Sequence, residues 1–155
     1  MKFAPVKTAI IGCGMISDTY LQNLIQTFSI IDVVGCADQV DEKAARQAEK
    51  YNIPKRTVAD ILADPEVELV VNLTYASSHY EVNRQVLEAG KHLYCEKMMA
   101  DTVSEAQKLV NLAHEKHLRF AVAPDTFLGG SMQTARQFVD AGIIGEPVMG
   151  VIRLA

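Results

Sequence analysis

Tryptophan is absent, and aromatic residues make up only 6% of the chain, so any core must be aliphatic rather than built from stacked rings. Cysteine is scarce too. Cys13, Cys36 and Cys95 are odd in number and far apart, and no CxxC pair occurs. That excludes a disulfide scaffold and a paired-thiol zinc site, and the three read as reduced, packed thiols of a cytoplasmic protein. A redox role for Cys13 is the alternative. No apolar run approaches the roughly 20 residues of a membrane span. The first apolar stretch is short, broken by two glycines and followed by Asp18, which is not the pattern of a signal peptide. There is no basic run. The 15 Lys and Arg stand against 19 Asp and Glu, a net charge of −4, so neither a nucleic-acid nor a membrane partner is expected. HExxH, P-loop and Gly-x-Ser-x-Gly patterns are missing. His114 and His117, three apart with Glu115 between them, miss the zinc spacing and read as a solvated helix end, so no metal site is expected. What remains is 155 residues, 49% of them apolar, enough for one sizeable core.

The richest stretch is Gly12-Cys13-Gly14-Met15-Ile16-Ser17, with Asp38 twenty-one residues further on. It follows the apolar run Thr8-Ala9-Ile10-Ile11, which reads as a buried strand, and precedes a helical pattern from Asp18 to Ile25. Strand, glycine turn, helix, second strand and acid form the dinucleotide-binding arrangement. Gly12 permits the tight turn, Gly14 lets a pyrophosphate approach the backbone, and the small Ser17 lets helix and strand pack closely. The N–H groups around Met15 and Ile16 then face the phosphates at a helix N-terminus. Asp38 closes the second strand and can accept hydrogen bonds from both hydroxyls of an adenine ribose. A 2′-phosphate would meet its carboxylate, so NAD is favoured over NADP. An S-adenosylmethionine site of a methyltransferase is the nearest alternative for such a loop.

Strands and helices alternate along the whole chain. Strands are expected near 6–11, 31–37, 69–73, 92–95 and 119–122, and helices near 16–27, 41–51, 57–63, 78–89, 102–116 and 132–141. Asp41 is the expected N-cap of the second helix. Capping boxes are expected at Thr57…Asp60, Ser78…Glu81 and Thr102…Glu105, and Gly90 as a C-cap. The strands are continuous apolar runs rather than alternating ones, so both sheet faces are covered. The expected fold class is therefore α/β, a doubly wound parallel sheet of the Rossmann type. After the stop at Gly145-Glu146-Pro147, residues 148–155 begin a new β-like run. The expected division is a dinucleotide-binding domain over 1–146 and the start of a second, truncated domain over 147–155.

With that tail included, the chain resembles the N-terminal half of the glucose–fructose oxidoreductase / inositol dehydrogenase (Gfo/Idh/MocA) family. Four segments carry the resemblance: the glycine motif from Ala9 to Ser17, Cys36-Ala37-Asp38, Ala89-Gly90-Lys91-His92-Leu93-Tyr94-Cys95-Glu96-Lys97, and Gly142-Ile143-Ile144-Gly145-Glu146-Pro147. The third matches the family's Ala-Gly-Lys-His…Glu-Lys-Pro signature and is the most diagnostic. Ala123 to Gly130 resembles one bacterial branch. The resemblance implies an oxidoreductase that moves hydride between a nicotinamide and a hydroxylated, sugar- or polyol-like small molecule. It places Glu96 and Lys97 beside the nicotinamide ribose, with Lys97 reaching the substrate hydroxyl as the catalytic residue of this half. Thr74 and His79 fall on the family's Thr-Pro-Asn-x-x-His pattern, where Thr74 touches the cofactor. For His79 a cofactor-side role and a structural hydrogen-bonding role both stand, as does a solvated ion pair for Glu96-Lys97.

The sequence departs from the pattern in two places. Tyr75 and Ala76 replace Pro-Asn, and Met98 replaces the proline of Glu-Lys-Pro. Because a cis bond before a residue other than proline is disfavoured, a trans Lys97–Met98 bond is expected. The resemblance also puts the family's catalytic Asp and His, most of the substrate site and the usual oligomer interface in a second domain beyond Ala155. A fragment is therefore expected to be inactive alone, with a homo-oligomer as the assembly and self-association through 148–155. The alternative function is a non-enzymatic NAD(H)-binding or sensing module.

Overall fold

A computed structural model of the chain describes residues 4–124, 126–151 and 153. Five apolar segments form strands: β1 (Val6–Ile11), β2 (Ile31–Ala37), β3 (Leu69–Asn72), β4 (His92–Cys95) and β5 (Phe120–Val122). They pair in parallel in the order β2-β1-β3-β4-β5. Parallel neighbours need long crossovers, and each crossover is helical. α1 (Ser17–Gln26) links β1 to β2; α2 (Asp41–Tyr51) and α3 (Val58–Ala63) link β2 to β3; α4 (Ala76–Glu88) and α5 (Val103–Glu115) follow β3 and β4.

Alternate residues of each strand enter opposite layers. Ala9, Ile11, Val70 and Leu93 pack with Ile61, Val86, Leu87 and Leu109 of α3, α4 and α5. Ile10, Cys36 and Val71 pack with Leu21 of α1 and with Ala44 and Ala48 of α2. Helices thus cover both faces, and the sheet is the doubly wound one that the continuous apolar runs predict. The winding reverses between β1 and β3, because β2 lies to one side of β1 and β3–β5 to the other. Such a reversal opens a crevice at the carboxyl ends of the strands. It sets the glycine loop after β1 against the loop after β3.

The helix ends show local chemistry at work. Thr57 and Thr102 each accept from the N3 amide, while Asp60 and Glu105 reach back to the N-cap amides, so two capping boxes form as expected. The box expected at Ser78…Glu81 does not form. α4 begins two residues earlier with Tyr75 as N-cap, and Ser78 lies inside its first turn. Glu81 instead pairs with Arg84 at 2.6 Å. Asp41 is likewise inside its helix, behind the N-cap Val40. α4 ends as predicted at Gly90, whose φ is +76°. Gly90 N donates to Leu87 O at 3.0 Å and Lys91 N to Val86 O at 3.2 Å, the paired bonds of a Schellman end.

The chain divides into two compact units between Ala123 and Pro124. The second holds a 3-10 turn, Thr126–Leu128, and α6 (Gly130–Asp140). They are tied by Gln133 Nε2, which donates to Phe127 O at 2.6 Å. The β-like run expected after Pro147 is not a strand at 148–151 or 153. A strand needs a partner, and these residues pair with none among the described residues. Ile152, Leu154 and Ala155 lie outside the described residues.

Candidate functional site: a cleft at the reversal of the sheet

The site is built on the turn that leaves β1. Gly12 has φ +104°, and a Cβ there would lie 2.5–2.6 Å from backbone atoms of Leu73 and Thr74. Only glycine lets these two loops approach so closely. Gly12 N donates to Ala37 O at 2.8 Å. Cys13 N donates to Asp38 Oδ2 at 2.7 Å, and Val40 N to Asp38 Oδ1 at 2.8 Å. The Asp38 carboxylate therefore joins the loops after β1 and β2. Two carboxylate oxygens offer about four acceptor sites, so each oxygen keeps capacity for a hydroxyl.

Gly14 is open where Gly12 is crowded. A Cβ on it would find no heavy atom within 4 Å. Among the described residues, the amides of Gly14, Met15 and Ile16 make no hydrogen bond to the protein, and α1 has no side-chain cap. Three free N–H groups at a helix N-terminus form a cradle for an anion. Ser17 Oγ donates to Gly14 O at 2.6 Å and accepts from Gln47 Nε2 at 3.1 Å. Ser17 is fully buried, so the small residue at this position serves the close packing expected of it. Cys13 is buried as well. Its hydrogen bond with the Cys36 thiol and its burial both push its pKa up, and the thiol stays protonated. All three cysteines are free and buried.

A cleft of about 620 Å³ opens over this turn. Gly12, Gly14, Met15, Ile16, Asp38 and Thr74, all predicted from sequence, line it together. Gln39, Lys43, Arg46, Tyr75 and Ser78 also line it, and sequence reasoning missed them as contributors. The spacing of Lys43 and Arg46, three apart on the helix after the acid, was the available signal. The cleft fits a dinucleotide. It offers free amides for a pyrophosphate, a space that any side chain at 14 would fill, and a half-buried carboxylate at the end of β2.

His79, Glu96 and Lys97 are not on the cleft wall. His79 is buried, with Nδ1 2.6 Å from Met98 O and Nε2 2.9 Å from Thr74 O. It ties the loop after β3 to the loop after β4, as the structural reading of this residue requires. The Lys97–Met98 bond is cis, not trans as expected. The local preference of a non-proline bond is not the only influence here. His79 holds the Met98 carbonyl, and Asn83 Nδ2 donates to Met99 O at 3.1 Å. Glu96 accepts from Tyr20 Oη at 2.6 Å through Oε1 and from Lys97 N at 3.1 Å through Oε2. No ion pair joins Glu96 to Lys97 among the described residues, and the Lys97 side chain is exposed. Burial and the bond to Glu96 push the Tyr20 pKa up. Lys91 of the signature is buried. Its Nζ donates to Asp64 O at 2.6 Å and Val67 O at 3.0 Å, and burial lowers its pKa. It is a structural post under the loop into β3.

Residues 6–123 match a family model described as the oxidoreductase family, NAD-binding Rossmann fold. An uncharacterized oxidoreductase of Schizosaccharomyces pombe is 36% identical over 150 residues, which are 94% of this chain and 40% of that protein. An inositol 2-dehydrogenase/D-chiro-inositol 3-dehydrogenase of Lactiplantibacillus plantarum is 29% identical over 92% of this chain and 42% of its own. Among solved structures, an NAD binding oxidoreductase from Klebsiella pneumoniae superposes with a TM-score of 0.79 at 27% identity, covering 94% of this chain and 41% of that one. The chain thus spans about two fifths of the length of the relatives it matches. No helix among the described residues is long and apolar enough to cross a membrane. With the glycine turn, the sheet order and these matches in agreement, the chain belongs to the Gfo/Idh/MocA oxidoreductase family and carries its NAD-binding Rossmann fold.

Proposed function

We propose that the chain is the cofactor-binding part of an enzyme that moves hydride between NAD and a hydroxylated, sugar- or polyol-like substrate. The observation that carries this reading is the open Gly14 turn. Its free amides lie in one cleft with the Asp38 carboxylate. When bound, the nicotinamide supplies the hydride acceptor or donor. The chain's own residues do the rest. Gly14, Met15 and Ile16 hold the pyrophosphate through their amides, Asp38 holds the adenine ribose, and Thr74 closes the floor of the cleft. Glu96, fixed by Tyr20, steadies the loop that carries Lys97. Lys97 then binds and polarises the reacting oxygen of the substrate. The inositol dehydrogenase among the relatives supports the polyol class.

The cofactor preference follows from Asp38, because a 2′-phosphate at its carboxylate meets like charge while a hydroxyl donates to it. Calorimetric titration of the chain with NADH and with NADPH tests this. A saturable NADH signal with clearly weaker NADPH binding is expected. Asp38→Ala should weaken NADH binding and narrow the gap between the two. Equal wild-type affinities would overturn the ribose assignment, and binding of neither would overturn the function.

A further inference from the structure

Two features of the cleft are left over once the pyrophosphate and ribose are placed. One is the unpaired charge on α2. Lys43 and Arg46 both line the cleft, and among the described residues neither is within ion-pair distance of a carboxylate. The other is Tyr75, which stands where the sequence departs from Thr-Pro-Asn. Its side chain is 67% exposed on the cleft wall, supplies no side-chain cap to α4, and makes no hydrogen bond through its hydroxyl among the described residues. Among the described residues, the ring's charged neighbour is Lys43. Lys43 Nζ lies 5.6 Å from the centroid of the ring, within cation–π range. That contact joins the helix after β2 to the loop after β3, beside Asp38.

We propose that Tyr75 is the stacking platform for the adenine ring of the dinucleotide and that Lys43 holds that platform in place. The proposal rests on the cofactor reading above. Asp38 takes the adenine ribose, so the base attached to that ribose lies near the wall that Asp38 shares with Lys43 and Tyr75. An exposed ring in such a place binds any base through its π-face. A cation on the ring restrains its loop without occupying hydrogen-bonding groups of the ligand. Tyr75 and Lys43 thereby set affinity for the adenosine half and leave the nicotinamide half untouched.

The test is calorimetric titration of the wild-type chain and of Tyr75→Ala, Tyr75→Phe and Lys43→Met with NADH and with ADP-ribose. Stacking of one base on an aromatic ring corresponds to roughly a tenfold or greater change in affinity. Tyr75→Ala should weaken NADH and ADP-ribose by about that factor, and equally. Tyr75→Phe should bind both as wild type does, and Lys43→Met should lose a smaller factor, about threefold. Unchanged melting temperatures are expected, because both side chains lie on the surface. Wild-type affinity in Tyr75→Ala would overturn the proposal while leaving the cofactor reading intact. So would a loss confined to NADH, which would put Tyr75 at the nicotinamide end. Failure of the wild type to bind either ligand would instead overturn the cofactor reading, and this inference with it.

Discussion

Two glycines two positions apart in the same turn, Gly12 and Gly14, do different work, and single methyl groups separate them. At Gly12 an added Cβ strikes backbone, not a movable side chain, and the φ of +104° is already unfavourable for an L residue. Gly12→Ala should therefore cost about 2–5 kcal/mol of folding stability, the sum of backbone strain and overpacking, measured by urea denaturation. At Gly14 the added methyl meets nothing. Gly14→Ala should fold with wild-type stability yet lose NADH affinity, because the methyl occupies the space of the pyrophosphate. Unaltered NADH binding in that variant would remove Gly14 from the site. Spacing alone put Gly12 in a tight turn, as its φ of +104° bears out, since that follows from the backbone path of one turn. It did not reveal the meeting of Lys43 and Tyr75, because that depends on how α2 packs beside the loop after β3, 32 residues further along the chain. Nor did it reveal that His79 and Asn83 would hold the carbonyls of Met98 and Met99. A peptide bond judged by its own residue types carries no information about partners on another helix.

Elements were legible wherever the signal was local. The strands lie where apolar runs put them, and the capping boxes at Thr57 and Thr102 form because all their groups sit within one turn. The box at Ser78 has the same residue pattern and fails. Tyr75 is extended with ψ 148°, so the helix starts at Ala76 and carries Ser78 past the cap. The contrast gives a direct test. Thr102→Ala removes a side-chain acceptor from an orphan amide and should cost about 1 kcal/mol. Ser78→Ala removes no cap and should change stability by less than about 0.5 kcal/mol. Urea denaturation of the two variants side by side measures the difference, and comparable losses would restore Ser78 as a cap. The β-like run after Pro147 shows the limit of such reasoning from the other direction. Alternating or apolar residues name a strand only if a neighbouring strand exists to pair with it.

At the scale of the whole molecule, a sheet buried on both faces places titratable groups where water does not reach, and its stability must then depend on pH. Cys95 ends β4 in the core, and burial raises its pKa from 9.0 to about 11. Between those values the folded chain keeps a proton that the unfolded chain has lost. The unfolded state binds fewer protons, so stability falls as pH rises. The contribution is complete below pH 9 and gone above about pH 11. Cys13 and Tyr20, whose pKa values are also raised, act with the same sign, while Cys36, lowered by its bond with Cys13, acts with the opposite sign below pH 9. Lys91, lowered by its burial, opposes them on the approach to 10.5. Thiol groups dominate the balance at the lower end of this range, since the cysteines begin to ionise in the unfolded chain first. Unfolding free energy measured by urea between pH 9 and pH 11 should therefore decline as pH rises. Cys95→Ser keeps the side chain small and polar but cannot ionise in this range, so its decline should be shallower. An identical slope in the variant would mean that the Cys95 thiol titrates alike in both states, and that the core around β4 admits water.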